Sequence, residues 1–383
     1  MKLNIAILGT RGIPNNYGGF EHIAGWLARG LVERGHSVTV YNSHRHPYQK
    51  KEWNGVRIIH CFDPEYLIGI AGQFVYDLNC IIDSRKRNYD IILMLGYTSS
   101  SVWGRLYPKK PIVITNMDGL EWQRTKFSKP VRNFLKYAEK LAVRSSRFHV
   151  ADSPVIKDYL DNKYGIKSKY IAYGADLYPE ANEEHLTEYG LKKQSYFLLM
   201  ARMEPENNIE MILDGFSLSN SANKFIVIGN TGNAFGTYLV DKYKEEKRIV
   251  FLGPIFNERK VQSLTSFCSL YFHGHSVGGT NPSLLDAMAS KVPLAAHGNE
   301  FSRSILKGNA VFFDNKTDVC NIIHEDQFAN QMHILNNYET IVTEFSWESI
   351  IEKYENYFME CYLANQEYYP IKHEETILYR GQN

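Results

Sequence analysis

The sequence predicts an α/β protein built from two tandem doubly wound domains, each a parallel sheet covered by helices on both faces. Three observations carry that expectation. Short apolar runs rich in β-branched residues alternate with amphipathic stretches along most of the chain. Runs such as 91–95 are apolar at every position, as a strand buried on both faces of a parallel sheet must be. The chain has 383 residues, which at roughly 100–200 residues per domain suits two units.

In chain order, candidate strands fall at 3–8, 37–41, 56–61, 91–95, 112–115, 148–151 and 169–172. The clearest helical patterns between them, 20–34 and 130–146, place apolar residues three and four apart. At 174–194 the alternation lapses into a polar stretch with Pro179, Glu180, Glu183 and Glu184, read as a linker. Alternation resumes with candidate strands at 196–200, 225–228, 249–252, 270–272, 294–296 and 311–313. The expected units are residues 1–175 and 176–383. Two such sheets enclose a cleft, and ligands of open α/β sheets bind at the carboxyl ends of the strands. The tyrosine-rich tail from Asn365 receives no role.

Composition narrows the function classes. Lys and Arg number 43 against 42 Asp and Glu, a net charge of +1, with 44% hydrophobic residues. That excludes a disordered chain and argues against bulk nucleic-acid binding. Tyr, Phe and Trp number 26, 20 and 5, enough for a large core and for flat binding surfaces. The five cysteines are scattered and form no CxxC pair, which suits reduced thiols in a cytoplasm. The N-terminal apolar run is too short for a signal peptide. The most apolar later stretch, 66–80, is interrupted by Gln73 and Asp77 and falls short of the ~20 residues a spanning helix needs. The expected location is the cytoplasm.

Three loops carry the chemistry. The first follows strand one and opens a helix, with Gly9, Gly12, Gly18 and Gly19 ahead of Glu21. Glycines let a backbone approach an anion, and a helix start offers free N–H groups. The loop matches neither the GxGxxG nor the P-loop pattern. The second runs from His273 through Gly278, Gly279 and Thr280 to Asn281 and Pro282, an N-cap and a favoured first helical residue. It would aim the amides of Gly279, Thr280, Ser283 and Leu284 at a phosphate, with Asp286 one turn on for ribose hydroxyls. The same loop contains a literal GxSxG at 274–278. The hydrolase reading is weak, because Gly279–Pro282 delays the helix that should follow a nucleophile at once. His273 and His275 resemble a metal pair but lack an evident third ligand. In the third loop Arg202 ends a strand, where it either neutralises a diphosphate or pairs with Glu204 or Glu206. No Asp-x-Asp metal-diphosphate pair occurs, so recognition by amides and arginine is expected, with no metal and no cofactor.

These residues resemble family 4 of the retaining glycosyltransferases, whose GT-B fold sets two Rossmann-like domains across a cleft. The resemblance covers nearly the whole chain. It rests on Gly18-Gly19-x-Glu21, the stretch 172–176, the Arg202–Pro205–Glu206 element, Phe251-Leu252-Gly253 and the glycine loop leading to Asp286. Phe345-Ser346-Trp347 opens a closing helix expected to cross back to the first domain. Within the family, 11–21, 118–122, 205–208, 229–233 and 274–281 resemble a bacterial polysaccharide branch that includes rhamnosyltransferases. Three departures stand out. Gly278 occupies the first position of the family's Glu-x7-Glu, Asn207 the usual lysine, and Asp118 the usual first-domain histidine.

The resemblance implies a retaining glycosyltransferase with dTDP-rhamnose as donor. The implied acceptor is a lipid-diphosphate-linked saccharide in bacterial capsule, exopolysaccharide or O-antigen assembly. Arg202, Asp118 and Glu121 are the expected catalytic residues. The expected donor-binding set is Gly18, Gly19, Glu21, Asn207, Gly229, Asn230, Phe251, Leu252, Gly278, Gly279, Thr280, Asn281, Ser283 and Asp286. A UDP-hexose transferase, a sugar-nucleotide epimerase and a non-catalytic nucleotide-sugar sensor stay open as alternatives. Between 124 and 147 eight basic residues face one acid, Glu139, and Arg132, Lys136, Lys140 and Arg144 recur every four positions. That stripe is either a solvated outer face or a peripheral contact with anionic membrane. The opposite face, Val131, Phe134, Leu135, Ala138, Leu141 and Ala142, is expected to pack on the sheet.

Overall fold

The computed structural model describes residues 1–16, 18–124, 126–177, 180–325 and 330–368. The first half builds one sheet from β1 (Asn4–Leu8), β2 (Ser37–Ser43), β3 (Glu52–Trp53), β4 (Val56–Cys61), β5 (Ile91–Leu95), β6 (Ile112–Asn116), β7 (Phe148–Ala151) and β8 (Lys169–Tyr170). Its order is β3-β4-β2-β1-β5-β6-β7-β8, parallel except for the antiparallel edge pair β3 and β4. The second half builds another from β9 (Tyr196–Met200), β10 (Lys224–Ile228), β11 (Ile249–Gly253), β12 (Leu270–His273), β13 (Leu294–His297) and β14 (Val311–Phe313). It is parallel throughout, in the order β11-β10-β9-β12-β13-β14.

Both sheets therefore reverse direction beside their first strand, between β1 and β5 and between β9 and β12. A crevice opens at each reversal because the crossovers leave in opposite directions. The three loops singled out by sequence follow β1, β9 and β12, so each emerges at a switch point. Burial follows from the same layering: all five residues of β5 are buried. The five cysteines are free thiols, and four are buried.

Helices before β7 shape the first domain's surface. They include α1 (Gly19–Glu33), the single turn α2 (Glu65–Ile68), α3 (Gly72–Ser84) and α4 (Lys129–Ser145). In α4 the buried side is Leu135, Ala138, Glu139 and Ala142. Val131, expected on that face, is 40% exposed. The buried acid is a hub: Glu139 accepts from Trp122 Nε1 at 3.1 Å, Tyr159 Oη at 2.9 Å, Lys163 Nζ at 2.8 Å and Tyr164 Oη at 2.6 Å. Those four donors are what allow a carboxylate inside the protein. Of the basic stripe, Arg132 is half-buried and donates Nε to Trp122 O at 2.7 Å, while Lys136, Lys140 and Arg144 stay exposed.

The stretch read as a linker contains a helical turn at Glu184–Thr187 and a parallel bridge from Ala175 to Ser346. The final helix, Trp347–Tyr368, lies against α1 of the first domain. Trp347 stacks on Trp26 with ring centroids 5.5 Å apart, and Arg34 Nη1 meets Glu355 at 2.9 Å. Asn116 Nδ2 donates to Tyr354 Oη at 3.0 Å. This helix also accounts for the tail as far as 368; the tail from 369, like Pro179 of the linker, lies outside the described residues.

Candidate active site

The loop after β1 is shaped by Gly9 and Gly12, both at positive φ. A Cβ on Gly9 would lie 2.2 Å from the Leu95 carbonyl at the end of β5, so the chain can cross the switch point only as glycine. Asn42 clamps the loop, accepting from Ile13 N at 3.0 Å and donating to Ile13 O at 2.8 Å. Glu21 does not line the cleft as expected of a donor-binding residue. It is buried, and its Oε1 accepts from Arg11 N at 2.8 Å and Thr10 Oγ at 3.2 Å. Its place is that of a brace beneath the glycine loop. Gly18 caps α1, and Gly19 lies beside Tyr173, whose hydroxyl donates to Gly19 O at 3.1 Å.

The loops after β9 and β12 are joined at their own switch point. Ser276 donates both N and Oγ to Glu206 O, at 3.1 and 2.7 Å, and Asn208 Nδ2 donates to Gly274 O at 2.8 Å. The Ser276 hydroxyl is thus tied to a backbone carbonyl, and no base contacts it among the described residues, which leaves the GxSxG without a nucleophile. His273 and His275 stack with centroids 4.5 Å apart, and burial with the nearby Arg202 and Arg124 pushes His275 down to about 3. Asn207 was expected on the donor; instead it is buried and its Nδ2 donates to Arg202 O at 2.7 Å, fixing the arginine's backbone. Ser283 is also corrected. Its amide and hydroxyl both reach Asn281 Oδ1, at 3.0 and 2.8 Å, so the N-cap takes the amide assigned to phosphate. The Leu284 amide is likewise used, by Asn281 O at 3.1 Å.

Arg202 stands exposed in the cleft without a salt bridge among the described residues. The acids that could have claimed it turn to the first domain: Glu204 lies 3.7 Å from Lys126, and Glu206 3.7 Å from Arg124. Facing it are Asp118, Glu121 and Arg124, brought by the loop after β6. Arg124 Nε donates to Glu121 Oε1 at 2.7 Å. Burial, then the charge of Glu121, pushes Asp118 up to about 6, against the pull of Arg124 and Arg202.

Asp152, at the end of β7, was missed by sequence reasoning. It hydrogen-bonds Asp118, and burial together with that neighbouring charge holds it well above the usual carboxylate range. Its carboxyl covers Gly279, where a Cβ would lie 1.9 Å from Oδ2, and Thr280 Oγ donates to Asp152 O. Gly278, at positive φ, faces Arg124, with Cα 3.9 Å from where a Cβ on Gly119 would stand. A glycine-lined seam thus joins the two domains where sequence reasoning placed open amides.

On the other side of the second sheet's switch point, Asp286 lines a cavity of about 220 Å³ with His22, Asp176, Met200, Phe256 and Pro282. Burial, then the charge of Asp176, pushes Asp286 up to about 7. His22 and Asp176, 3.5 Å apart, were also missed; the only signal was the proximity of each to a glycine-bearing motif. Phe256 had no signal, but is 89% exposed at the cavity wall. Of the expected donor-binding set, Asp286 alone is in this cavity's lining. Gly229 makes the turn after β10, and Asn230 Oδ1 accepts from Gly232 N at 2.9 Å. Phe251 and Leu252 pack against hydrophobic clusters on β11, the edge strand.

Residues 2–176 match a domain of unknown function, DUF1972, and residues 182–324 match the family Glycosyl transferases group 1. Among solved structures, a sucrose-phosphate synthase from Thermosynechococcus elongatus superposes with a TM-score of 0.78 at 16% identity, over 94% of this chain and 100% of the other. The Anabaena protein HepE, in complex with UDP-glucose, gives 0.73 at 16% identity, again over 94% and 100%. Starch synthase IV from Arabidopsis thaliana, bound to ADP and acarbose, gives 0.72 at 11% over 95% and 100%. These comparisons define the fold as GT-B, with a match to a glycosyltransferase family over residues 182–324. A 59-residue stretch is 44% identical to an uncharacterized 42.6 kDa protein in the cps region of Klebsiella pneumoniae. That stretch covers 15% of this chain and spans 16% of the relative.

Proposed function

We propose that this protein is a retaining transferase of the family 4 kind, moving L-rhamnose from dTDP-rhamnose to a lipid-diphosphate-linked saccharide in bacterial surface-polysaccharide synthesis. The observation that carries the reading is Arg202, a cleft cation without a salt-bridge partner among the described residues, at the switch point beside Gly278–Thr280 and facing Asp118. In the transfer, the bond from the sugar's anomeric carbon to the diphosphate oxygen breaks, and a bond to the acceptor oxygen forms on the same face. The acceptor's proton goes to the departing diphosphate. Arg202 stabilises the charge growing there, a preorganised electrostatic role. Asp118, oriented by Asp152, holds a hydroxyl of the sugar or acceptor. The cps-region relative supports the pathway class, and the missing Asp-x-Asp supports action without a metal.

HepE was solved with UDP and with UDP-glucose, which favours a UDP-hexose as the second reading. Turnover of a nucleotide-sugar panel on a lipid-linked acceptor extract, with EDTA present, decides between them. Rhamnose transfer that persists in EDTA is expected. Calorimetry with dTDP, UDP and GDP tests the base independently of the acceptor. UDP binding about tenfold tighter than dTDP, ~1.4 kcal/mol, would remove the rhamnosyl assignment and leave the transferase. Interconversion of the donor alone would indicate an epimerase, and donor binding without turnover on any acceptor a sensor.

A further inference from the structure

The turn after β4 is the most apolar exposed surface of the first domain. Phe62, Tyr66, Leu67, Ile68 and Ile70 fall within nine residues, and each is between 50% and 79% exposed. Single exposed hydrophobes need no explanation, but a contiguous group marks a contact surface.

The turn is held in place by polar and packing contacts. Arg11 of the glycine loop grips Glu65 with Nε at 3.0 Å and Nη2 at 2.7 Å. Asn79 Nδ2 donates to Phe62 O at 2.9 Å, and His44 lies against both Phe62 and Tyr66. A Cβ on Gly72 would lie 2.3 Å from Glu65 N, so the chain folds back tightly into α3. The apolar side chains thus project from a braced turn at the carboxyl edge of the first sheet, beside the mouth of the cleft.

Charge decides the partner. The acids of the turn are spent within the fold: Asp63 is buried and accepts from Glu65 N at 2.9 Å, and Glu65 is paired with Arg11. The cations around it remain outward. The guanidinium of Arg45 lies over the Tyr66 ring, 4.2 Å from its centroid. Phe74, at the start of α3, contacts Phe134 of α4 with centroids 5.8 Å apart, so the patch continues onto that helix. There Val131 and Tyr137 are exposed beside Lys129, Lys136, Lys140 and Arg144.

We infer that the 62–70 turn inserts its apolar side chains into an anionic phospholipid surface, while Arg45 and the cations of α4 engage the headgroups. An apolar wedge rimmed by cations gains affinity from both terms at an interface. The geometry brings the glycine-loop mouth to the membrane plane, where a lipid-linked acceptor would arrive; in that respect the inference rests on the proposed function.

The test is sedimentation of the intact protein with vesicles of phosphatidylcholine, with and without phosphatidylglycerol. The parent binds only the phosphatidylglycerol vesicles, and I68S/I70S loses about tenfold or more of that binding at both low and high salt. K136Q/K140Q loses the salt-sensitive part alone. Circular dichroism and nucleotide calorimetry, unchanged in I68S/I70S, show that the variant is folded. No vesicle binding by the parent at low salt overturns the inference, as does undiminished binding by I68S/I70S. So does a concentration-dependent dimer that this variant abolishes, which would assign the patch to a second copy of the chain. Vesicle binding without sugar transfer would instead remove the proposed function and leave the surface standing.

Discussion

In the proposed mechanism Arg202 is the residue on which the chemistry turns, because the neighbouring acids are paired elsewhere and its charge faces the cleft. Arg202→Ala is expected to lower kcat by ~10²-fold or more, the scale of losing one preorganised donor to a growing charge. Steady-state kinetics in saturating donor measure it, and an unchanged kcat would take Arg202 out of the site. Asp286 makes a different statement, about stability. Its pKa is raised in the folded chain to about 7, so the native state binds more protons than the unfolded state between the ordinary carboxylate range and there. Stability therefore falls as pH rises through that window and stays reduced above it. Asp286→Asn removes the buried charge. The variant is expected to have a higher Tm than the parent at about pH 8 and an equal one at about pH 3. If ribose hydroxyls are what Asp286 serves, the same variant weakens nucleotide binding in calorimetry, the trade between stability and function common at such sites.

Among the elements, the seam between the loop after β6, the end of β7 and the loop after β12 decides how the cleft closes. Asp152 occupies the space above Gly279, and Arg124 approaches Gly278. Any side chain at 279 must push Asp152 aside, away from its place beside Asp118. Gly279→Ala is expected to destabilise the protein by about 1–3 kcal/mol, as overpacking does, and to lower kcat as well. Thermal melting and kinetics on the same preparation check this. A neutral Tm would mean that the seam opens freely. The cation partners of Glu204 and Glu206 belong to the same seam: residues that read as an internal cluster in sequence are contacts between domains in space.

At the scale of the molecule, the final helix ties the second domain to the first. Trp347 stacks on Trp26, meets Tyr173 edge-on with centroids 5.4 Å apart, and lies where a Cβ on Gly174 would come within 2.4 Å. Trp347→Ala empties this junction beside His22 and Asp176 at the cavity wall. It is expected to cost about 3–5 kcal/mol, the range for a buried large aromatic, read as a fall in Tm. KM for the donor should rise with it, because the cavity is lined from both domains. A Tm fall without any KM change would separate the strap from the site.

The sequence by itself determined the architecture. Periodicity located thirteen strands, and five of them (56–61, 91–95, 148–151, 196–200 and 311–313) have the bounds seen in space; three of these, 91–95, 196–200 and 311–313, are apolar throughout, and such a run between polar turns has few other ways to be buried. The short antiparallel β3 escaped notice, since two residues carry no period. Sequence also placed the three loops, because strand-then-glycine is a local signal and topology puts such loops at switch points. Roles within the loops were decided by tertiary structure alone. Glu21, Asn207 and Ser283 read as ligand contacts but spend their polar atoms on nearby backbone and side-chain partners. Asp152 and His22 read as nothing in particular, and Asp176 only as part of the 172–176 signature, yet they meet at the cleft from segments far apart in the chain. The reason is physical: a backbone pattern is set within a few residues, whereas a polar atom's partner depends on which distant groups folding brings within about 3 Å of it.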